Sequence, residues 1–265
     1  MNGRNGDINL TTGQPDILIQ LYSVHEHLVT NYARTIRRLS QAGVKNVELY
    51  WFDAQPGIAE IKSILSDNGV RPMVMHVNLK TLTHGISKVV DACHQLAVSD
   101  IVMPWLDPEI RQNADCWPQW GTTLNILGKK LRDEGIGFGY HNHDFEFAGD
   151  TDVLPMQTLL DTTDASLVFW EIDTYWVKFA GYDVLDWLNR YGTRIRAVHF
   201  KDYRAKHMVE LGTGELPWKE IVTHLSPLPV KYWILEQEEF PTGDPWGELA
   251  RGMAFLESCR FVVKS

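Results

Sequence analysis

Two rhythms of apolar residues alternate along this chain. Short apolar or β-branched runs occupy residues 17–22, 45–52, 72–77, 100–104, 137–141, 167–173, 194–200 and 230–236. Segments with apolar residues at helical spacing follow them at 32–41, 58–68, 86–96, 117–133, 153–160, 184–191, 218–225 and 245–257. Eight strand-like and eight helix-like segments in strict alternation predict an α/β fold, a single (β/α)₈ barrel. Runs such as IVMP and YWIL are apolar at nearly every position, as expected of strands covered by helices on one face and by the barrel interior on the other. Gly43, Gly69 and Gly135 each fall just after a predicted helix, where a left-handed residue ends helices. No linker interrupts the pattern, so residues 1–265 are expected to form one domain with 1–15 as a loose N-terminal tail. A doubly wound open sheet would carry a glycine-rich phosphate loop after its first strand. Here that turn reads SVHEHLVTN, without glycine, and the late cluster at Gly212–Glu215 is a weak substitute.

Barrel chemistry is carried by side chains at the C-terminal ends of strands. Asp173, His199 and Glu236 stand at or just past three such ends, and Glu146 follows a fourth. Carboxylate oxygens with one imidazole suit a divalent cation, with Mn²⁺ the expected ion and Mg²⁺, Co²⁺ or Zn²⁺ the alternatives. The segment YHNHDFEF offers His141, His143, Asp144 and Glu146 close together. A hard cation favours Glu146 as the fourth ligand, with His141 its rival, and leaves His143 as a proton carrier with an ordinary pKa of ~6.5. Gln20, Glu48, His76 and Trp105 mark the opposite half of the mouth, and Trp176 follows Asp173. Together with His141 they are expected to touch substrate. Lys201 is placed to neutralise a developing oxyanion. Glu238 and Glu239 read as solvated loop charges beside Glu236.

Composition narrows the partners. A formal net charge of −9 without a Lys/Arg block disfavours nucleic acid and an anionic membrane surface. No stretch approaches the ~20 apolar residues of a membrane helix, and the polar N-terminal stretch lacks an apolar signal region. Three widely spaced cysteines, Cys93, Cys116 and Cys259, suggest reduced thiols. A cytoplasmic enzyme acting on a small molecule is the expectation, and a homo-oligomer its expected state.

The motifs IQLYSV, VELYWF, YHNHDFEF, EIDTYWVKFAG, VHFKDY, LGTGELPW and ILEQEEF span the chain from about residue 17 to 261. Together they resemble the xylose isomerase-like TIM-barrel superfamily, in its sugar-phosphate isomerase/epimerase branch near inosose dehydratases and keto-sugar-processing enzymes. The resemblance implies a Mn²⁺-type site of Glu, Asp, His and Glu, matching Glu146, Asp173, His199 and Glu236. One departure concerns the first ligand: sugar epimerases of this kind carry it on the strand, where this chain has Tyr140 and His141. The implied chemistry is α-proton abstraction from a keto-sugar, keto-glycoside or inosose by His143 or Glu236. The oxyanion is stabilised by metal and Lys201, and the outcome is isomerisation, epimerisation or elimination. Two other functions occur on or beside this scaffold: an endonuclease IV-like DNA-repair enzyme, and a metal-binding accessory subunit of a sugar-processing complex.

Overall fold

The structure, a computed structural model, describes residues 14–52, 55–111, 116–149 and 153–262. The expected N-terminal tail therefore lies, but for its last two residues, outside the described residues. Eight parallel strands close a barrel: β1 (Asp16–Gln20), β2 (Asn46–Tyr50), β3 (Arg71–His76), β4 (Asp100–Met103), β5 (Gly137–His141), β6 (Phe169–Asp173), β7 (Ile195–Phe200) and, after an antiparallel hairpin β8 (Asp202–Arg204)–β9 (His207–Val209), β10 (Tyr232–Leu235). β10 pairs with both β7 and β1 and closes the ring.

Ten α-helices accompany the strands among the described residues: α1 (His25–Thr30), α2 (Tyr32–Gln41), α3 (Ile58–Asp67), α4 (Leu79–Leu96), α5 (Cys116–Asp133), α6 (Pro155–Thr162), α7 (Thr174–Phe179), α8 (Val184–Tyr191), α9 (Trp218–Leu225) and α10 (Pro245–Val262). α2, α8 and α9 fall on their predicted spans. α4 begins seven residues before its predicted start because Gly85, at φ −148° and ψ 31°, breaks the helical geometry and hides the first turns from a periodicity reading. Gly43, Gly69 and Gly135 hold φ of +92°, +62° and +78°, and each leads from a helix toward the next strand.

Alternate residues of each strand point inward, and the inward set is stratified. At the N-terminal floor Asp100 accepts from Arg196 Nη1 at 2.5 Å, Tyr232 Oη at 2.7 Å and Ser99 Oγ at 3.0 Å. Above it an apolar layer of Leu18, Val74, Val102, Phe169, Ala197 and Ile234 fills the barrel. Gly139 belongs to this layer because a Cβ there would come within 2.3 Å of the Phe169 ring. The outward residues of the same strands, including Ile19, Leu49, Ile101, Phe138, Trp170, Val198 and Leu235, join the separate core under the helices.

Two irregularities interrupt the strict ladder. The β2–β3 register shifts between Val47 and Glu48, and the β6–β7 register between Trp170 and Glu171. Each shift comes immediately before an inward carboxylate, so the pairing adjusts as the apolar layer gives way to the polar one.

Candidate functional site

The uppermost inward layers are almost wholly ionisable: His76, His141 and Asp173 end their strands beside Gln20, His199 is the last residue but one of β7, Glu48 and Glu171 lie two residues before the ends of β2 and β6, and Glu236 and Lys201 follow the ends of β10 and β7. All of them are buried. Register explains part of this convergence, since Asp173 stands directly opposite His199 on the neighbouring strand. Asp173 also caps α7, with Oδ1 accepting from the Trp176 N–H at 3.1 Å, and its Oδ2 is buried without a hydrogen-bond partner among the described residues.

One ligand atom each from His141, Asp173, His199 and Glu236 falls within 4.8 Å of the others, a spacing at which a divalent cation could be held. His199 Nδ1 is 2.9 Å from Glu236 Oε2, and His141 Nε2 is 3.9 Å from Asp173 Oδ2. The donor chemistry fits a cation. Carboxylates crowd a buried site, Asp173 Oδ2 has no hydrogen bond among the described residues, and burial together with the neighbouring His199 drives His141 down to about 3, keeping it a neutral imidazole with a lone pair to give. A second group of His76, His141, Glu171 and His199 lies beneath the first and shares two of its rings.

Charge balance inside this layer is unusual. Burial opposes a charge on His199, yet Glu171 and Glu48 outweigh it and raise the ring well above its ordinary value. Burial likewise opposes the His76 cation, but Glu48 and Glu171 push it up to about 9. Glu171 and Glu236 are held well below the carboxylate range despite burial, the first by His199 and His76, the second by Lys201 and His199. For Asp173 burial wins, lifting it to about 6 against Lys201 and His199. Lys201 Nζ reaches Glu238 at 2.6 Å, Glu236 at 3.0 Å and Asp173 at 3.5 Å, and these carboxylates more than offset its desolvation.

Above the layer opens a cleft of about 590 Å³, within the size range of small-molecule sites. Its walls include Tyr22, Tyr50, Trp51, Trp105 and Trp176, with His76, His141, His143, Glu236 and Glu238 as polar members. Flat aromatic faces beside a few fixed polar atoms suit a polyhydroxylated ring, whose C–H face packs on aromatics while its hydroxyls seek partners.

Several sequence expectations change here. Glu146, the expected first ligand, is not in either group. Its Oε1 accepts from Tyr140 Oη at 2.5 Å and its Oε2 from the His143 N–H at 2.7 Å. Tyr140 points outward into the helix-side core, so the carboxylate it binds is turned away from the mouth. His141, on the inward face, takes that corner. His143 does not keep an ordinary pKa: burial, His141 and Lys201 hold it well below, and its buried Nδ1 has no hydrogen-bond partner among the described residues. It packs between Trp105 at 4.9 Å and Trp176 at 5.5 Å. Gln20 and Glu48 lie fully buried beneath the cleft, with Gln20 Nε2 donating to Glu48 Oε2 at 2.7 Å. Glu238 is no free loop charge but the partner of Lys201 and part of the cleft wall. Glu171 escaped the sequence reading altogether. Its signal was there: it precedes Asp173 by two residues on one strand and therefore shares the inward face. Tyr22, Tyr50 and Trp51 were likewise unmarked.

Comparison with known proteins agrees with the architecture. The chain is 30% identical over 113 residues to an inosose dehydratase of Clostridium perfringens (strain 13 / Type A), covering 43% of this chain and 37% of that protein. The chain spans roughly a third to a half of the length of the inosose dehydratases it matches. In structure it is similar to a sugar phosphate isomerase/epimerase from Parabacteroides distasonis, with a TM-score of 0.80, 22% identity and coverage of 95% and 96% of the two chains. It is also similar to an L-ribulose 3-epimerase, with a TM-score of 0.73, 13% identity and coverage of 94% and 96%. These likenesses establish the fold. Residues 36–259 match the family described as xylose isomerase-like TIM barrel, and with its closed eight-stranded barrel the chain belongs to that family.

Proposed function

We propose that this protein is a divalent-cation-dependent enzyme that removes the proton beside the carbonyl of a keto-sugar, keto-glycoside or keto-cyclitol, leading to isomerisation, epimerisation or β-elimination. The observation that carries the reading is the buried set His141, Asp173, His199 and Glu236 at the base of an aromatic cleft. An inosose dehydratase and an L-ribulose 3-epimerase are among the similar proteins, and dehydration and epimerisation are two fates of one enolate.

In this reading those four residues hold the cation, which supplies Lewis acidity toward a carbonyl oxygen. The expectation of three carboxylates and one imidazole becomes two of each, a set that disfavours Mg²⁺ and suits Mn²⁺, Co²⁺ or Zn²⁺. Trp105 and Trp176 form aromatic walls of the cleft that would border the substrate ring and exclude water. His143 is the better candidate for accepting the α-proton because its ring borders the cleft and forms no ion pair among the described residues, whereas the Glu236 carboxylate is engaged by Lys201 and His199. Lys201 keeps Glu236 and Asp173 ionised and lends positive charge next to the developing oxyanion.

The test is solvent deuterium incorporation into a panel of keto-sugars, keto-glycosides and inososes with Mn²⁺ supplied. Exchange at the carbon next to the carbonyl, lost with chelator and in His199→Ala, is the expected outcome. Exchange that persists in the chelator-treated His199→Ala protein overturns the proposal.

A further inference from the structure

The two candidate cation groups share His141 and His199, and this decides how many cations the mouth takes. A neutral imidazole has one in-plane lone pair. Filling both groups together would strip both ring protons from two histidines at once, so only one group serves as ligands. The lower group is a hydrogen-bonded lattice: Glu171 Oε1 is 2.6 Å from His76 Nε2, 3.1 Å from His141 Nδ1 and 3.0 Å from His199 Nε2. Donors held around a divalent ion at ~2.1 Å bonds stand farther apart than the closest of these. Both groups border the cleft, the lower through His76 and His141 and the upper through His141 and Glu236, but in the upper group Asp173 Oδ2 stands 3.9 Å from His141 Nε2 without a hydrogen bond among the described residues.

From this geometry we propose, on the cation-site reading above, that Glu171 is a positioning residue: it keeps the ring proton of His141 on Nδ1, so that the Nε2 lone pair faces Asp173 and the cation site. A ligating histidine commonly donates its other N–H to a carboxylate, which fixes both tautomer and ring orientation. Glu48 does the same for His199, its Oε2 standing 2.9 Å from Nε2 and leaving Nδ1 toward Glu236. The fold makes room for the arrangement. The register shift after Trp170 sets Glu171 opposite Ala197, a small inward residue on β7. His76 closes the lattice, within 2.6 Å of Glu171 and 3.2 Å of Glu48.

The experiment uses full-length protein labelled with ¹⁵N-histidine, freed of metal, with His141 assigned by difference from His141→Gln. Long-range ¹H–¹⁵N spectra should show His141 protonated on Nδ1 in the wild type. In Glu171→Leu, which keeps bulk but removes the acceptor, the proton should move to Nε2 or divide between the nitrogens, and Glu171→Gln, which keeps an acceptor oxygen, should restore much of the wild-type pattern. Mn²⁺ and Co²⁺ should bind about 10- to 100-fold more weakly to Glu171→Leu, with an altered Co²⁺ absorption spectrum. An Nε2-protonated His141 in the wild type overturns the proposal even if a variant fails to fold, and so does an unchanged tautomer in Glu171→Leu. If the wild type binds neither ion while the tautomer still follows residue 171, the hydrogen-bond role stands and the cation-dependent function falls.

Discussion

The two ends of this barrel both bury carboxylates, and they treat them in opposite ways. At the floor, Asp100 is surrounded by donors, with Arg196, Tyr232 and Ser99 on its two oxygens. At the mouth, Glu48, Glu171, Asp173 and Glu236 compete for four cationic or donor groups, His76, His141, His199 and Lys201, and Glu48 Oε1, Glu171 Oε2 and Asp173 Oδ2 are left without a hydrogen bond among the described residues. A buried carboxylate supplied in full by its own chain is a structural group, since removing a partner leaves the other side uncompensated. One kept short of donors carries a desolvation cost that folding alone does not repay, and a ligand can relieve it. Burial alone therefore does not separate structural from functional charge. The count of donors does.

The contrast is most sharply tested by removing one carboxylate from each pole. Asp173→Asn should weaken Mn²⁺ binding by at least ~100-fold, as expected for loss of a ligand or its close support, while leaving the melting temperature of the metal-free protein unchanged or raised. Competition against a chromophoric chelator and thermal melts would read both. In the wild type, Mn²⁺ at a thousandfold excess over Kd should add about 4 kcal/mol of stability. Asp100→Ala should behave inversely, destabilising the fold by about 3 kcal/mol because Tyr232 and Arg196 lose their acceptor, with Mn²⁺ affinity unchanged. Equal effects on stability from both substitutions would break the distinction between the poles.

Glu146 offers a third, intermediate case in the layer between barrel and helices. Burial pushes its carboxyl up to about 8, against the Tyr140 and His143 hydrogen bonds. A folded value above the unfolded one means that its stabilising contribution is complete below about pH 4.5 and is lost as pH rises through about 8. Wild-type stability relative to Glu146→Gln should thus fall, by roughly 4 kcal/mol, between pH 5 and pH 8.5. Denaturant melts at the two pH values would reveal a constant difference if burial did not hold the carboxyl protonated.

The smallest effect concerns backbone. Ala205 and Lys206 turn the β8–β9 hairpin beside the mouth with φ of +49° and +67°, a region that costs a residue with a Cβ roughly 1 kcal/mol. Lys206→Gly should raise stability by about 0.5–1 kcal/mol without altering Mn²⁺ affinity. A change in affinity would show that the hairpin governs the mouth.

Local periodicity carried much of this molecule. Strand β5 and helices α2, α8 and α9 have the bounds that alternation and helical spacing predict, and Asp173, His199 and Glu236 follow from strand ends alone. The segments that escaped are those too short or too atypical to show a period. α7 has six residues, α1 buries only Leu28, and the hairpin turn lacks the glycine or asparagine that positive φ favours.

By itself the sequence determined the eightfold β/α alternation and three of the four upper-group residues, because both depend on spacing along one segment. Tertiary structure decided the rest: that His141 faces inward while Tyr140 draws Glu146 outward, that Glu171 gathers three imidazoles, and that Lys201 is spent on carboxylates instead of standing free. The physical reason is that these choices depend on register between strands far apart in sequence. The pairing shifts at Glu48 and Glu171, and the space left by Ala197, exist only once the barrel has closed.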